Sequence, residues 1–89
     1  MKILAVCGNG LGSSMMLAIN IKKVIGTLGI TADVSNTDLA SSKTETADYY
    51  IGSPEIMEQL SDGKRKTISI KNLLSLPEIE EALTKYINA

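Results

Sequence analysis

Three features of this 89-residue chain predict an α/β fold, a three-layer sandwich in which a four-stranded parallel sheet lies between helices on both faces. Short strand-like runs alternate with helical ones along the whole length, the order of a parallel sheet with right-handed crossovers. The first run, Ile3 to Val6, is apolar at every position, as expected of a strand buried on both faces. A glycine-rich turn then joins that run directly to a helical pattern.

The elements follow in order. From Ser13 to Leu28, apolar residues recur at helical spacing (Leu17, Ile21, Val24, Ile25, Leu28), and Gly29 suits a left-handed cap. A second strand is expected from about Thr31 to Ser35. Leu39 to Thr46 is weakly patterned, a short helix or an irregular loop, and Asp48 to Ile51 reads as a third strand. Pro54 fits the first turn of a short helix reaching Leu60. Thr67 to Ile70 supplies a fourth strand, and Pro77 opens a last helix with Ile79, Ala82, Leu83, Tyr86 and Ile87 on one apolar face.

Composition excludes several classes of function. Length allows one domain, residues 1–89, and an apolar share of 44% against 21% charged is that of a globular core rather than a disordered chain. No apolar stretch approaches the roughly 20 residues a membrane-spanning helix needs. Met1-Lys2 runs straight into a strand without a signal peptide's apolar region, so a cytoplasmic, free-standing chain is expected. A net charge of −1 and only three aromatic residues, all tyrosine, argue against nucleic acid as a partner. Lys64-Arg65-Lys66, beside Asp62 and Gly63, reads as a solvated turn ahead of a strand.

Chemistry concentrates at the first strand-to-helix turn. Cys7, the only cysteine, has no internal disulfide partner and stands where the unpaired N–H groups and dipole of a helix start favour an anion. In an open parallel sheet, ligands bind beyond the carboxyl ends of the strands, where strand order reverses. Segments near Asn36-Thr37-Asp38, Gly52-Ser53-Pro54 and Lys71-Asn72 are expected to rim the same crevice. A nucleotide P-loop is excluded because no lysine occurs between Lys2 and Lys22, and Ser13 spoils a Gly-x-Gly-x-x-Gly dinucleotide turn. A low-molecular-weight tyrosine phosphatase loop would place arginine six residues after the cysteine, where this chain has Ser13. Without that fork of donors the transition state loses its main stabiliser, and phosphatase action is the alternative rather than the leading reading.

The residues are suited to holding a phosphoryl group on sulfur without hastening its hydrolysis. In that reading Cys7 is the nucleophile, and Gly8, Asn9, Gly10, Leu11, Gly12, Ser13 and Ser14 surround the phosphoryl oxygens. Ser13 and Ser14 either contact phosphate or cap the helix; Asn9 either contacts it or serves the backbone turn. Met15 and Met16 are expected to pack against neighbours, with an apolar docking surface shared with Leu11 as the alternative. No metal or other cofactor is called for, and the absence of histidine leaves any imidazole to a partner.

The stretch Ile-Leu-Ala-Val-Cys-Gly-Asn-Gly-Leu-Gly-Ser-Ser-Met-Met, Ile3 to Met16, resembles the start of IIB components of the bacterial phosphoenolpyruvate-dependent sugar phosphotransferase system. The resemblance is greatest to the ascorbate branch, whose relatives include galactitol and lactose-type proteins, and it implies their Rossmann-like fold. Asp48-Tyr49-Tyr50-Ile51-Gly52-Ser53 and Ile70-Lys71-Asn72-Leu73 are compatible with it but less diagnostic. It further implies that Cys7 takes a phosphoryl group from a phosphohistidine of a cytosolic IIA protein. Cys7 would then give the group to a sugar, possibly L-ascorbate, held by a membrane IIC transporter. A carrier that meets both partners through one loop is expected to act as a monomer.

Overall fold

A computed structural model of the chain describes residues 1–8 and 12–87, with 12 and 13 described by their backbone alone. The elements are β1 (Lys2–Cys7), α1 (Gly12–Leu28), β2 (Asp33–Asp38), α2 (Leu39–Ser42), β3 (Tyr49–Gly52), α3 (Pro54–Leu60), β4 (Thr67–Ser69) and α4 (Leu76–Tyr86). All strand pairs are parallel, in the order β2-β1-β3-β4. The chain leaves β1 for one neighbour and returns past it to the other, so strand order reverses between β1 and β3.

The apolar run of β1 is buried because layers cover both faces. Ile3 and Ala5 join Leu17, Ile21, Val24, Ile25, Ile51, Ile79 and Leu83 in a core beneath α1 and α4. Leu4 and Val6 point the other way and pack with Tyr50, Met57 and Leu60, partly covered by Leu39 and Ile56 from α2 and α3. Alternation along a strand accounts for this division. The Tyr50 ring is buried because its hydroxyl is satisfied: it donates to the Glu45 carbonyl at 2.7 Å and accepts from Ala47 N–H at 3.2 Å.

Most expected boundaries agree with the structure. Gly29 has φ +74°, the left-handed value that ends α1, and Pro54 begins α3. The weakly patterned segment resolves into the four-residue α2, capped by the Asp38 carboxylate accepting from Ser41 N–H at 2.7 Å. The second strand lies further along than Thr31 to Ser35. Pairing sets it: Lys2 stands opposite Asp33 and Cys7 opposite Asp38, and Asp33 N–H donates to the Met1 carbonyl. Polar Asn36 and Thr37 are accommodated because β2 is an edge strand.

Two local expectations need correction. Tyr86 is 51% exposed rather than part of the buried face of α4; its carbonyl accepts the Tyr49 hydroxyl at 3.1 Å. Arg65 is half-buried, not simply solvated. Its guanidinium donates to the carbonyls of Leu60 and Lys43 and pairs with Asp62 at 2.9 Å, tying α3 to the turn after α2. Among the described residues, no helix is long and apolar enough to cross a membrane.

Candidate functional site

Cys7 is the last residue of β1 and therefore stands at the carboxyl edge of the sheet, beside the point where strand order reverses. Its side chain is buried at 5% exposure but borders a cleft of about 300 Å³. Val6, Gly8, Ser53, Glu55, Ile56 and Leu73 complete the walls. Five residues after Cys7 in sequence, Gly12 begins the 17-residue helix α1. The positive end of a helix favours an anion close to it.

The opposite wall is brought close by a glycine. A Cβ at Gly52 would sit 2.6 Å from the Val6 carbonyl oxygen and 3.0 Å from Met57 Cε, so only glycine lets β3 end so tightly against β1. The chain leaves Gly52 through Ser53 into α3, carrying Ser53, Glu55 and Ile56 to the cleft. Gly8 is packed as well: a Cβ there would meet Ile56 Cδ1 at 2.9 Å.

Leu73 reaches the site through the connection between β4 and α4. Asn20, on α1, donates from Nδ2 to the Leu73 carbonyl at 3.1 Å. The Glu78 carboxylate accepts from the N–H groups of Lys71 and Asn72 at 2.6 and 2.9 Å. Those two bonds hold the Glu78 carboxyl below its ordinary value, the Lys71 N–H being the larger cause. Asp38, opposite Cys7 on β2, is likewise lowered, first by the Ser41 N–H and then by the Ser41 hydroxyl.

The residues expected from sequence fare differently. Cys7, Gly8 and Ser53 meet at one cleft. Ser14 is fully buried, and Asn36 Nδ2 donates to its Oγ at 3.4 Å. Asn9, Gly10, Leu11 and the Ser13 side chain lie outside the described residues. Asn36, Thr37 and Asp38 do not line the cleft, and on the β4 side it is Leu73 rather than Lys71 or Asn72 that does. Met15 and Met16 do not pack inward: they are 52% and 47% exposed, with Ile19 beside them at 41%. Glu55 was not foreseen; its one signal is its position two residues after the expected rim residue Ser53. Among the described lining residues none is basic, and their donors to an anion are backbone N–H groups and the Ser53 hydroxyl.

This architecture is that of a IIB domain. A solved structure, the lactose-specific IIB component domain of the phosphotransferase system from Streptococcus pneumoniae, matches with a TM-score of 0.64. The match covers 99% of this chain and 95% of that one at 16% identity, a likeness of fold. The family model described as "PTS system, Lactose/Cellobiose specific IIB subunit" matches residues 2–85, and the chain belongs to that family. It is similar to ascorbate-specific PTS system EIIB components. The one from Mycoplasma pneumoniae is 34% identical over 88 residues, covering 96% of this chain and 93% of that protein. Another, from Escherichia coli, is 31% identical over 91 residues, covering 99% and 90%.

Proposed function

We propose that residues 1–89 form a cytoplasmic phosphocarrier domain in which Cys7 accepts a phosphoryl group from a phosphohistidine of a IIA protein. It passes the group to a sugar held by a membrane IIC transporter. The observation that carries this reading is the position of the only cysteine, at the carboxyl end of β1, on a cleft at the strand-order reversal, where a helix start follows.

Each transfer balances. Cys7 Sγ attacks phosphorus as the N–P bond of the IIA phosphohistidine breaks; the bonding pair returns to the imidazole, which also takes up the thiol proton. In the second step a sugar hydroxyl oxygen attacks, the S–P bond breaks with its pair going to sulfur, and the hydroxyl proton balances the sulfur's charge. The chain has no histidine, so imidazole chemistry falls to a partner. The role of Gly8, Asn9, Gly10, Leu11, Gly12, Ser13 and Ser14 is to surround the phosphoryl oxygens with donors.

Names of similar proteins support L-ascorbate as the transported substrate. The outward-turned Met15, Met16 and Ile19 support an adaptable apolar docking surface at the start of α1, beside the site.

The test mixes the protein with phosphoenolpyruvate, the general phosphotransferase proteins and a matching IIA. The intact mass should rise by one phosphate in wild type and stay unchanged in Cys7→Ser. Turnover of an aryl phosphate that depends on Cys7 would instead favour a phosphatase, a reading weakened by the lack of an arginine six residues after Cys7.

A further inference from the structure

We propose that Ser53 is a ligand of the phosphoryl group, its hydroxyl donating to a phosphate oxygen on Cys7 across the cleft that both residues border. This rests on the reading of Cys7 as the phosphorylated residue.

Strand register makes the juxtaposition. Ile3 stands opposite Tyr49, Leu4 opposite Tyr50 and Ala5 opposite Ile51. Carried two residues further, the same offset sets Gly52 opposite Val6 and Ser53 opposite Cys7. The close approach of Gly52 to the Val6 carbonyl agrees with that continuation. Ser53 and Cys7 then border the same cleft.

The second observation is what the Ser53 hydroxyl does not do. Ser53 occupies the N-cap position of α3, where serine ordinarily accepts a bond from the helix, yet its side chain makes no capping hydrogen bond. Ser53 is half-buried and borders a cleft whose described walls contain no basic side chain and include Glu55. A phosphoryl dianion in that setting needs neutral donors, and a hydrogen bond to a charged oxygen is about twice as strong as a neutral one. The Ser14 hydroxyl, on α1, already receives the Asn36 amide.

The experiment compares wild type, Ser53→Ala and Ser53→Thr at equilibrium with phosphorylated IIA, reading the ratio of phosphorylated to unmodified protein by intact mass. Removing one hydrogen bond to a charged oxygen should lower the phosphotransfer equilibrium constant about 10-fold in S53A. S53T, which keeps the hydroxyl, should recover most of it. Thermal midpoints of S53A and wild type should agree, because no capping bond is lost. An S53A ratio equal to wild type, or an S53T ratio as low as S53A, overturns the assignment. If S53A does not fold, Ser53→Gly replaces it, since glycine is tolerated at an N-cap, and the same two outcomes are read. Wild-type protein that takes up no phosphate overturns the carrier reading itself and this assignment with it.

Discussion

Gly52 and the Val6 carbonyl oxygen are in such close approach that a methyl group on Gly52 would lie 2.6 Å from that oxygen. The contact joins the carboxyl ends of β3 and β1, and the candidate site is the space just beyond it. Gly52→Ala should therefore act on both stability and function. Overpacking at a backbone oxygen and Met57 Cε is expected to cost about 1–3 kcal/mol in urea unfolding. By moving Ser53 away from Cys7, the substitution should also lower the phosphorylated fraction in the IIA assay.

Glu55 borders the cleft, and a phosphoryl dianion on Cys7 would feel the charge of its carboxylate. Glu55→Gln is expected to raise the equilibrium ratio of phosphorylated to unmodified protein by roughly 2- to 5-fold at low salt. The gain should shrink as ionic strength rises, because Glu55 is exposed. Mass measurements at two salt concentrations check both parts.

Arg65 offers a contrast, since it supports the fold far from Cys7 in sequence. Its bonds to the Leu60 and Lys43 carbonyls need the forked guanidinium. Arg65→Lys should lower unfolding stability by about 1–2 kcal/mol, on the scale of lost hydrogen bonds to a charged group. Phosphorylation of Cys7 should stay unchanged.

The Glu78 carboxyl is held down by the N–H groups of Lys71 and Asn72, its ordinary value being 4.5. Because the folded state binds its proton less readily than the unfolded state, the contribution is fully present above the unfolded value. It is lost as pH falls through the lowered folded value. Thermal midpoints of wild type and Glu78→Gln should differ at neutral pH and converge as pH falls below about 4.5. A difference that stays constant into acid would show that the two amides do not depend on the charged carboxylate.

Much of this was legible where local chemistry decides. The unbroken apolar run of β1 gave burial on both faces, Pro54 the start of α3, and Gly29 the end of α1. The position of Cys7 at the edge of the sheet followed from the strand-turn-helix order. What escaped depends on partners distant in sequence. The start of β2 at Asp33 is set by Met1 and Lys2 across the sheet. Leu73 stands at the cleft with its carbonyl tied to Asn20, 53 residues away. Arg65 looked solvated because nothing nearby announces the carbonyls of Leu60 and Lys43. Tyr86 has helical spacing with Leu83 and Ile79, yet those two are buried in the core with Ile87 packed against it, while Tyr86 itself is exposed.

In the proposed function the sulfur of Cys7 holds a transferable phosphoryl group. The most direct test of this is a phosphorus NMR spectrum of the protein after incubation with phosphoenolpyruvate and the donor proteins. One phosphorothiolate resonance, correlated with the Cys7 β-protons, should appear and then vanish when membranes carrying sugar-loaded IIC are added. A phosphoserine resonance in its place, or a Cys7 signal that persists with acceptor present, would contradict it.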